Sequence, residues 1–404
     1  MKYIIILGDG MADDPATCPN QVTPMMAAHK PNIDSLAKKG KTGLLTTVPK
    51  NMPAGSEIAN MSILGYNPEK CYEGRGILEA ASMNIPIQDN ELVMRCNLIC
   101  IQDNKIKNHS SGHITTKEAK ELIHHLNQNL STPAIKFYPG ISYRHLLIIK
   151  NGGKDIDLIP PHDVPGTPAE QVMPKPTTEQ GRQTAQQIEQ LIRASWDLLN
   201  THPINLKRTQ QGKDPANSIW PWSQGFKPDM ENFQKTHNIK AAVISAVDLI
   251  KGLGALVGMD IINVDGATGL YDTNYEGKAD ACIEALKDHD LIYVHVEAPD
   301  EAGHEGNYTL KTKTIEDLDK RLVGRILNNL HKIDSKIKIA VLPDHPTPVK
   351  LKTHTKEPVP FLITTLGENA PDTTETLDEQ SAKDGAYRKL ECTQFLKTFL
   401  HETP

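Results

Sequence analysis

Short unbroken apolar runs, rich in Ile and Val and stopped by Gly, Pro or Asp, constrain this chain more than any other feature. They cover Tyr3–Leu7, Ala241–Val247, Asp260–Val264, Leu291–Val296, Ile337–Leu342 and Pro360–Thr364. A strand buried on one face alternates apolar with polar residues. A continuous run suits a strand covered on both faces, as inside a largely parallel sheet. Patterns with apolar spacings of three and four, over Ala279–Leu286 and Ile315–Leu330, predict helices between the runs. Strand and helix alternating in this way predict an α/β fold with a doubly wound, largely parallel sheet.

From about residue 87 to 240 the pattern changes. This stretch holds Trp196, Trp220 and Trp222, many Gln and Asn, and a Pro-rich segment from Pro160 to Pro176. Its clearest element is an amphipathic helix over Glu179–Asn200, with Ile188, Leu191, Ile192 and Trp196 on one side. We read residues 87–240 as an α+β domain inserted into a discontinuous one made of residues 1–86 and 241–404. A length of 404 residues allows such a division. The net charge of -6, with both signs interspersed, argues against a nucleic-acid surface. No stretch approaches the roughly 20 apolar residues of a membrane helix. The N-terminal run ends in Gly-Asp-Gly rather than a cleavage site. The six cysteines contain no C-x-x-C pair. A cytoplasmic protein acting on a small molecule is expected, with its oligomeric state left open.

The residues just beyond the apolar runs carry the chemistry. Tyr3–Leu7 leads to Asp9, Leu291–Val296 leads to Asp300 and His304, and Ile337–Leu342 leads to Asp344 and His345. Ligands of open α/β sheets bind beyond the carboxyl ends of strands. Each residue alone has an ordinary reading as a turn aspartate, a solvated i, i+4 pair or a loop histidine. Their recurrence after separate strands points to one edge where carboxylates and imidazoles converge. His354, in KTHTKEPVP, adds a further ligand. Oxygen and nitrogen donors without thiolate suit Mn, Zn or Mg, and their number exceeds the needs of one ion. Two ions roughly 4 Å apart serve phosphoryl transfer by clamping attacking and leaving oxygens. In MPAGSEIANMSILGY, Ser56 stands where a helix begins. It reads either as a plain N-cap or as a nucleophile activated by a bound cation.

The segments GDGMAD, MPAGSEIANMSILGY, GRGILEAASM, HVEAPDEAGHEG and LPDHPTPVKLKTHTKEPVPF resemble the cofactor-independent phosphoglycerate mutases. The resemblance is to their archaeal-type branch, within the alkaline phosphatase superfamily, and runs from Met1 to about Phe361. It implies a metal-binding domain of alkaline-phosphatase type with an inserted substrate domain. It also implies a phosphoserine at Ser56, interconversion of 3-phosphoglycerate and 2-phosphoglycerate, and no need for 2,3-bisphosphoglycerate. One divalent ion, manganese foremost with zinc or magnesium as alternatives, would be held by Asp9, Ser56, Asp344 and His345. A second would be held by Asp300, His304 and His354. NHSSGHIT and YPGISYRHL look like substrate segments, which makes His109, His113 and Arg144 candidates for contacting the phosphoglycerate. A homoserine kinase-like phosphotransferase and a metal-dependent phosphomonoesterase share these motifs and stay open. The kinase reading has no Walker A motif to support it.

Overall fold

The computed structural model describes residues 1–368 and 371–401. Its central strands are β1 (Lys2–Gly8), β2 (Lys41–Thr46), β3 (Ala241–Ile244), β4 (Asp260–Ile262), β5 (Leu291–Val296), β6 (Ile337–Leu342), β7 (Val359–Thr365) and β8 (Lys389–Glu391). They form one sheet in the order β4-β3-β5-β1-β6-β7-β2-β8. Ile4, Ile5, Ile6 and Leu7 are fully buried, as an unbroken apolar run requires, so β1 lies inside the sheet between β5 and β6. The pairs β3/β4, β3/β5, β1/β5 and β1/β6 are all parallel. The run at Pro360–Thr364 becomes β7, which is antiparallel to both β6 and β2. Burial on two faces demands apolarity but leaves strand direction free.

The chain divides into two compact units, residues 1–72 with 229–404 and residues 73–228. The second therefore starts at Glu73 rather than at 87, and ends at Pro228 rather than at 240. Gly76 explains the earlier start. It lets the helix Arg75–Ser82 lie directly on strand Glu91–Gln102, where a Cβ would stand 3.0 Å from the Met94 and Arg95 backbone. At the other boundary, the Phe233 N–H donates to the Val257 carbonyl at 2.8 Å, so that segment belongs to the first unit. The second unit is α+β. Strand Glu91–Gln102 pairs antiparallel with Lys105–Asn108, Arg144–Lys150 and Ser218–Gly225, and Ile135–Tyr138 extends the sheet beside Arg144–Lys150. Helices Thr116–Leu130 and Arg182–Asn200 contribute Leu122, Leu126, Ile188 and Ile192 to its core. Among the described residues, no helix is long and apolar enough to cross a membrane.

Three helices of the first unit matter for the site: α1 (Ser56–Ile63), α2 (Ala298–Glu305) and α3 (Tyr308–Asp317). From α3, the fully buried Lys311 ties the loop after β1 to the loop after β6. Its Nζ donates to the Ala12 and Thr347 carbonyls at 2.8 Å each, and to Asp13 Oδ2 at 3.0 Å. Asp13 Oδ2 also accepts the Val349 N–H at 3.1 Å. Burial lowers the Lys311 pKa, against the pull of Asp13. Removing one partner of such a pair strands a buried charge. Lys311→Met should therefore destabilise the protein by about 3–5 kcal/mol, read from urea unfolding midpoints. Asp13→Asn/Lys311→Met should recover part of that loss, since no unpaired charge is left. A double variant no more stable than the single one would contradict this account.

Candidate metal centre

Parallel neighbours deliver their following loops to one edge. β1 pairs Leu7 with His295 of β5 and with Leu342 of β6. Asp9 follows β1 at once, and its N–H donates to the Val296 carbonyl at 2.9 Å. Gly10 must be glycine here. Its φ is +57°, and a Cβ would stand 2.7 Å from the Asp300 Cα and 2.6 Å from Thr347 Oγ1. The absence of a side chain lets the β1 loop lie flat against α2.

Among the described residues, three groups of ligand atoms gather at this edge, each within 4.8 Å of one another, and two of them consist of residues expected from the sequence: Asp300, His304 and His354, and Asp9, Asp344 and His345; the third is Asp9, His295 and Glu297. In the first, His304 Nε2 lies 3.1 Å from Asp300 Oδ2 and His354 Nε2 lies 3.5 Å from Asp300 Oδ1. Asp300 and His304 are one turn apart on α2, so their side chains share a face. The two Nε2 atoms face each other at 2.8 Å, a spacing that needs a proton or another cation between them. His304 Nδ1 is 3.0 Å from the Lys352 carbonyl, which orients the ring and turns Nε2 inward. In the second group, His345 Nε2 lies 3.5 Å from both Asp9 Oδ1 and Asp344 Oδ2. The His345 and His354 rings stack at 4.0 Å, which joins the two groups.

Ser56 belongs to the second group. Of the two readings the sequence left open for Ser56, the side-chain cap is not realised: Gly55 is the N-cap, with no side-chain cap bond, and Ser56 is the first helical residue. Its hydroxyl lies 3.1 Å from His345 Nε2. One turn on, Asn60 Nδ2 donates to the Ser56 carbonyl at 2.8 Å and to Asp344 Oδ2 at 2.9 Å. The Tyr293 hydroxyl donates to Asn60 Oδ1, and the Thr347 hydroxyl donates to Asp300 Oδ1. The Gly10 and His345 N–H groups donate to Asp344 Oδ1 at 3.1 and 2.9 Å.

The electrostatics reflect acids crowded together in a dry place. Burial, with Asp344 next in effect, pushes the Asp9 carboxyl well above its ordinary range. Burial and Asp300 raise Glu297 to about 8. Burial acts upward on Asp300 too, but hydrogen bonds from His304 and His354 outweigh it and hold that carboxyl well below the usual range. The hydrogen bond to Asp300 carries His304 up to about 9, against burial. Burial lowers His345, and lowers His295 to about 3. Acids this crowded hold protons where no counter-charge is present, and together with the imidazoles they offer the oxygen and nitrogen donors that divalent cations take.

In the second unit, the three residues taken as substrate contacts surround Tyr143. His109 and His113 meet its ring edge-on at 5.8 and 6.5 Å, and the Arg144 guanidinium lies 5.9 Å from its centre. Sequence reasoning missed their companions. Arg95 lies 4.6 Å over Trp222 and pairs with Glu79 at 2.9 Å. His162 meets Trp222 at 5.1 Å and His109 at 6.0 Å. Arg75 and Arg144 both press on Arg95, whose pKa burial lowers first. Such a basic and aromatic group suits an anion. Its members come from separate segments and share no spacing that a sequence could display.

Comparison with known proteins gives a consistent result. The model of the 2,3-bisphosphoglycerate-independent phosphoglycerate mutase family matches residues 37–205. The chain is 50% identical over 387 residues to the 2,3-bisphosphoglycerate-independent phosphoglycerate mutase of Methanosarcina acetivorans, covering 96% of each. It is 44% identical over 389 residues to a probable enzyme of that name from Geobacter sulfurreducens, covering 95% of each. Among solved structures, a Pyrococcus horikoshii protein aligns with a TM-score of 0.83 at 27% identity, over 100% of this chain and 98% of the other. The cofactor-independent phosphoglycerate mutase of Thermoplasma acidophilum aligns with a TM-score of 0.71 at 26% identity, over 99% of each.

The raised His304 pKa sets a measurable sign. Without metal its imidazole keeps a proton up to about pH 9, whereas a ligand nitrogen must be free of it. Binding of Mn²⁺ at pH 7.5 should therefore release at least one proton per chain, from His304, with the raised Asp9 carboxyl adding to the count. Calorimetry in buffers of unequal ionisation enthalpy reads the number directly. It should fall as pH rises through about 9. No buffer dependence at pH 7.5 would rule the assignment out.

Proposed function

The chain belongs to the family of 2,3-bisphosphoglycerate-independent phosphoglycerate mutases, archaeal type, and from that premise we propose that its isomerase chemistry runs through a phosphoserine on Ser56. The reaction proposed is the interconversion of 3-phosphoglycerate and 2-phosphoglycerate. The observation that carries the reading is the Ser56 hydroxyl, unused in capping and 3.1 Å from His345 Nε2, beside the Asp9 and Asp344 carboxylates. The donor chemistry fits two divalent cations. Asp300, His304 and His354 offer one set of oxygen and nitrogen atoms, and Asp9, Asp344, His345 and Ser56 offer the other. When bound, such ions lower the pKa of a hydroxyl and neutralise charge on phosphoryl oxygens. Manganese is the expected occupant, with zinc or magnesium as alternatives.

The residues then have distinct tasks. Ser56 Oγ attacks phosphorus in line, forming the Ser56 O–P bond as the bond to the glycerate oxygen breaks. The start of α1 places the positive end of a helix dipole where negative charge grows. Asn60 fixes Ser56 against Asp344 through the serine's own carbonyl. Glycerate turns and its other hydroxyl takes the phosphoryl group back, so no external phosphate donor is consumed. His109, His113 and Arg144 are proposed to contact the phosphoglycerate anion, with Arg75 and Arg95 adding positive charge nearby.

Ser56→Ala should lower turnover of 3-phosphoglycerate on the order of 10⁴-fold or more with the fold retained. Acid-quenched wild-type enzyme should yield a peptide phosphorylated at Ser56. Full turnover in the variant, or phosphate on another residue, would end the covalent reading. Asp300→Asn and His304→Ala should each lower the bound metal measured by elemental analysis, and unchanged content would remove both from the ligand set.

A further inference from the structure

We propose that the groove between helix Thr116–Leu130 and His202, within the second unit, binds a phosphate group, carried free or on a monoester. Its volume is about 570 Å³, in the range of small-molecule sites. None of its lining side chains belongs to the basic group around Tyr143. Along the helix, Lys120, His124 and Gln128 follow one another at intervals of four residues, with Glu121 and His125 at the same interval beside them. Side chains spaced in this way share one helix face. His202 meets that face from the N-cap of helix Pro203–Gln210, with its ring 4.9 Å from the ring of His125.

The hydrogen bonds behind the two rings decide what the groove can hold. His202 Nδ1 accepts the Ile204 N–H at 3.3 Å. His125 Nδ1 lies 3.5 Å from the Asn129 amide nitrogen, which also donates to the His125 carbonyl at 2.8 Å. A neutral imidazole has one N–H, so a ring whose Nδ1 accepts keeps its hydrogen on Nε2. Both rings then have an Nε2–H to give and no lone pair there for a metal. His304 shows the reverse, since its Nδ1 faces the Lys352 carbonyl and its Nε2 is left with a lone pair. Among the described residues, the groove's side chains also form none of the groups that bring three ligand atoms within 4.8 Å. The Lys120 ammonium and the Gln128 amide add donors, and Glu121 is the one acid lining the groove. Burial, with His125 next, lowers the His202 pKa, and Glu121 acts against them. A bound anion would act in the same direction as Glu121, and more strongly at close range. A phosphate group brings at least three strong acceptor oxygens, enough to use the imidazole, ammonium and amide donors together.

NMR of the full-length enzyme, loaded with Mg²⁺ and carrying isotope-labelled histidine, tests the site. The ring signals are assigned through His125→Ala and His202→Asn, the second of which keeps a side-chain oxygen for the Ile204 N–H. Inorganic phosphate should move the His125 and His202 signals together along one saturable curve and raise the His202 pKa. Lys120→Gln should weaken that binding roughly threefold to tenfold. All three variants should turn over 3-phosphoglycerate as the wild type does, so a failure of the phosphoserine reading would leave this result untouched. Glycerol phosphate serves as the second probe. Tighter binding of it than of inorganic phosphate assigns the groove to monoesters, and the opposite order assigns it to the free anion. His125 and His202 signals that stay fixed while phosphate moves those of the sheet-edge histidines overturn the proposal. Signals that respond to Zn²⁺ in phosphate-free buffer but not to phosphate also overturn it, by making the groove a metal site.

Discussion

Like charges brought together away from water govern this structure. Asp9, Asp300 and Asp344 are each at most 3% exposed, and Glu297 joins them at the same sheet edge. Water normally stabilises such carboxylates, and a protein interior does so only with donors or cations at close range. Some donors are built in. Asp344 receives two backbone N–H groups and the Asn60 amide. Asp300 receives the Thr347 hydroxyl and stands within reach of two imidazoles. Asp9 has fewer: the His295 ring stands 2.8 Å from one of its oxygens, and its other close neighbour is a second acid, Glu297. The cations proposed for this edge would answer the remaining deficit, and their binding would then follow from how the sheet is assembled.

That assembly explains which parts were legible in the sequence. Parallel strands buried on both faces write themselves as apolar runs, and the loops after them must carry whatever the edge displays. Asp9, Asp300, His304, Asp344 and His345 could be read for that reason. The polar face of β5 could not. Tyr293 and His295, with Glu297 just beyond, alternate with Ile292, Val294 and Val296, so one side of an otherwise apolar strand lines the acid cluster. Read as a continuous run, LIYVHV hides this period of two. Its polar members look like tolerated core residues until Asp9 and Asn60 are seen opposite them.

Other features lack any local signature. Lys311 sits in α3 among residues of ordinary helical pattern, yet its three hydrogen bonds hold two distant loops together. β8 is three residues long, and the pairings of β2 and β8 depend on neighbours remote in sequence. The domain boundary moved to Glu73 because a glycine permitted close packing, an effect of shape rather than composition. Within the first unit, the chain leaves and returns at points tied together. The Tyr66 hydroxyl donates to the Glu231 carbonyl at 2.8 Å, and Cys71 Sγ lies 3.8 Å from the Asp229 carbonyl. Chain ends held that close let a long insertion be accommodated at modest entropic cost.

The position of Ser56 sets aside the side-chain cap and supplies what the proposed nucleophile would require. A serine at the N-cap accepts a backbone N–H through its hydroxyl oxygen, which commits a lone pair and fixes the rotamer toward the helix. Here Gly55 occupies the cap and leaves that oxygen uncommitted. The shift is only one residue, but it turns the hydroxyl from the helix toward His345. Asn60 then ties the Ser56 carbonyl to Asp344 and anchors the first turn of α1 to the loop after β6. A nucleophile needs both conditions: freedom of the reacting atom and rigidity of the backbone that carries it. A capping serine would have the second without the first.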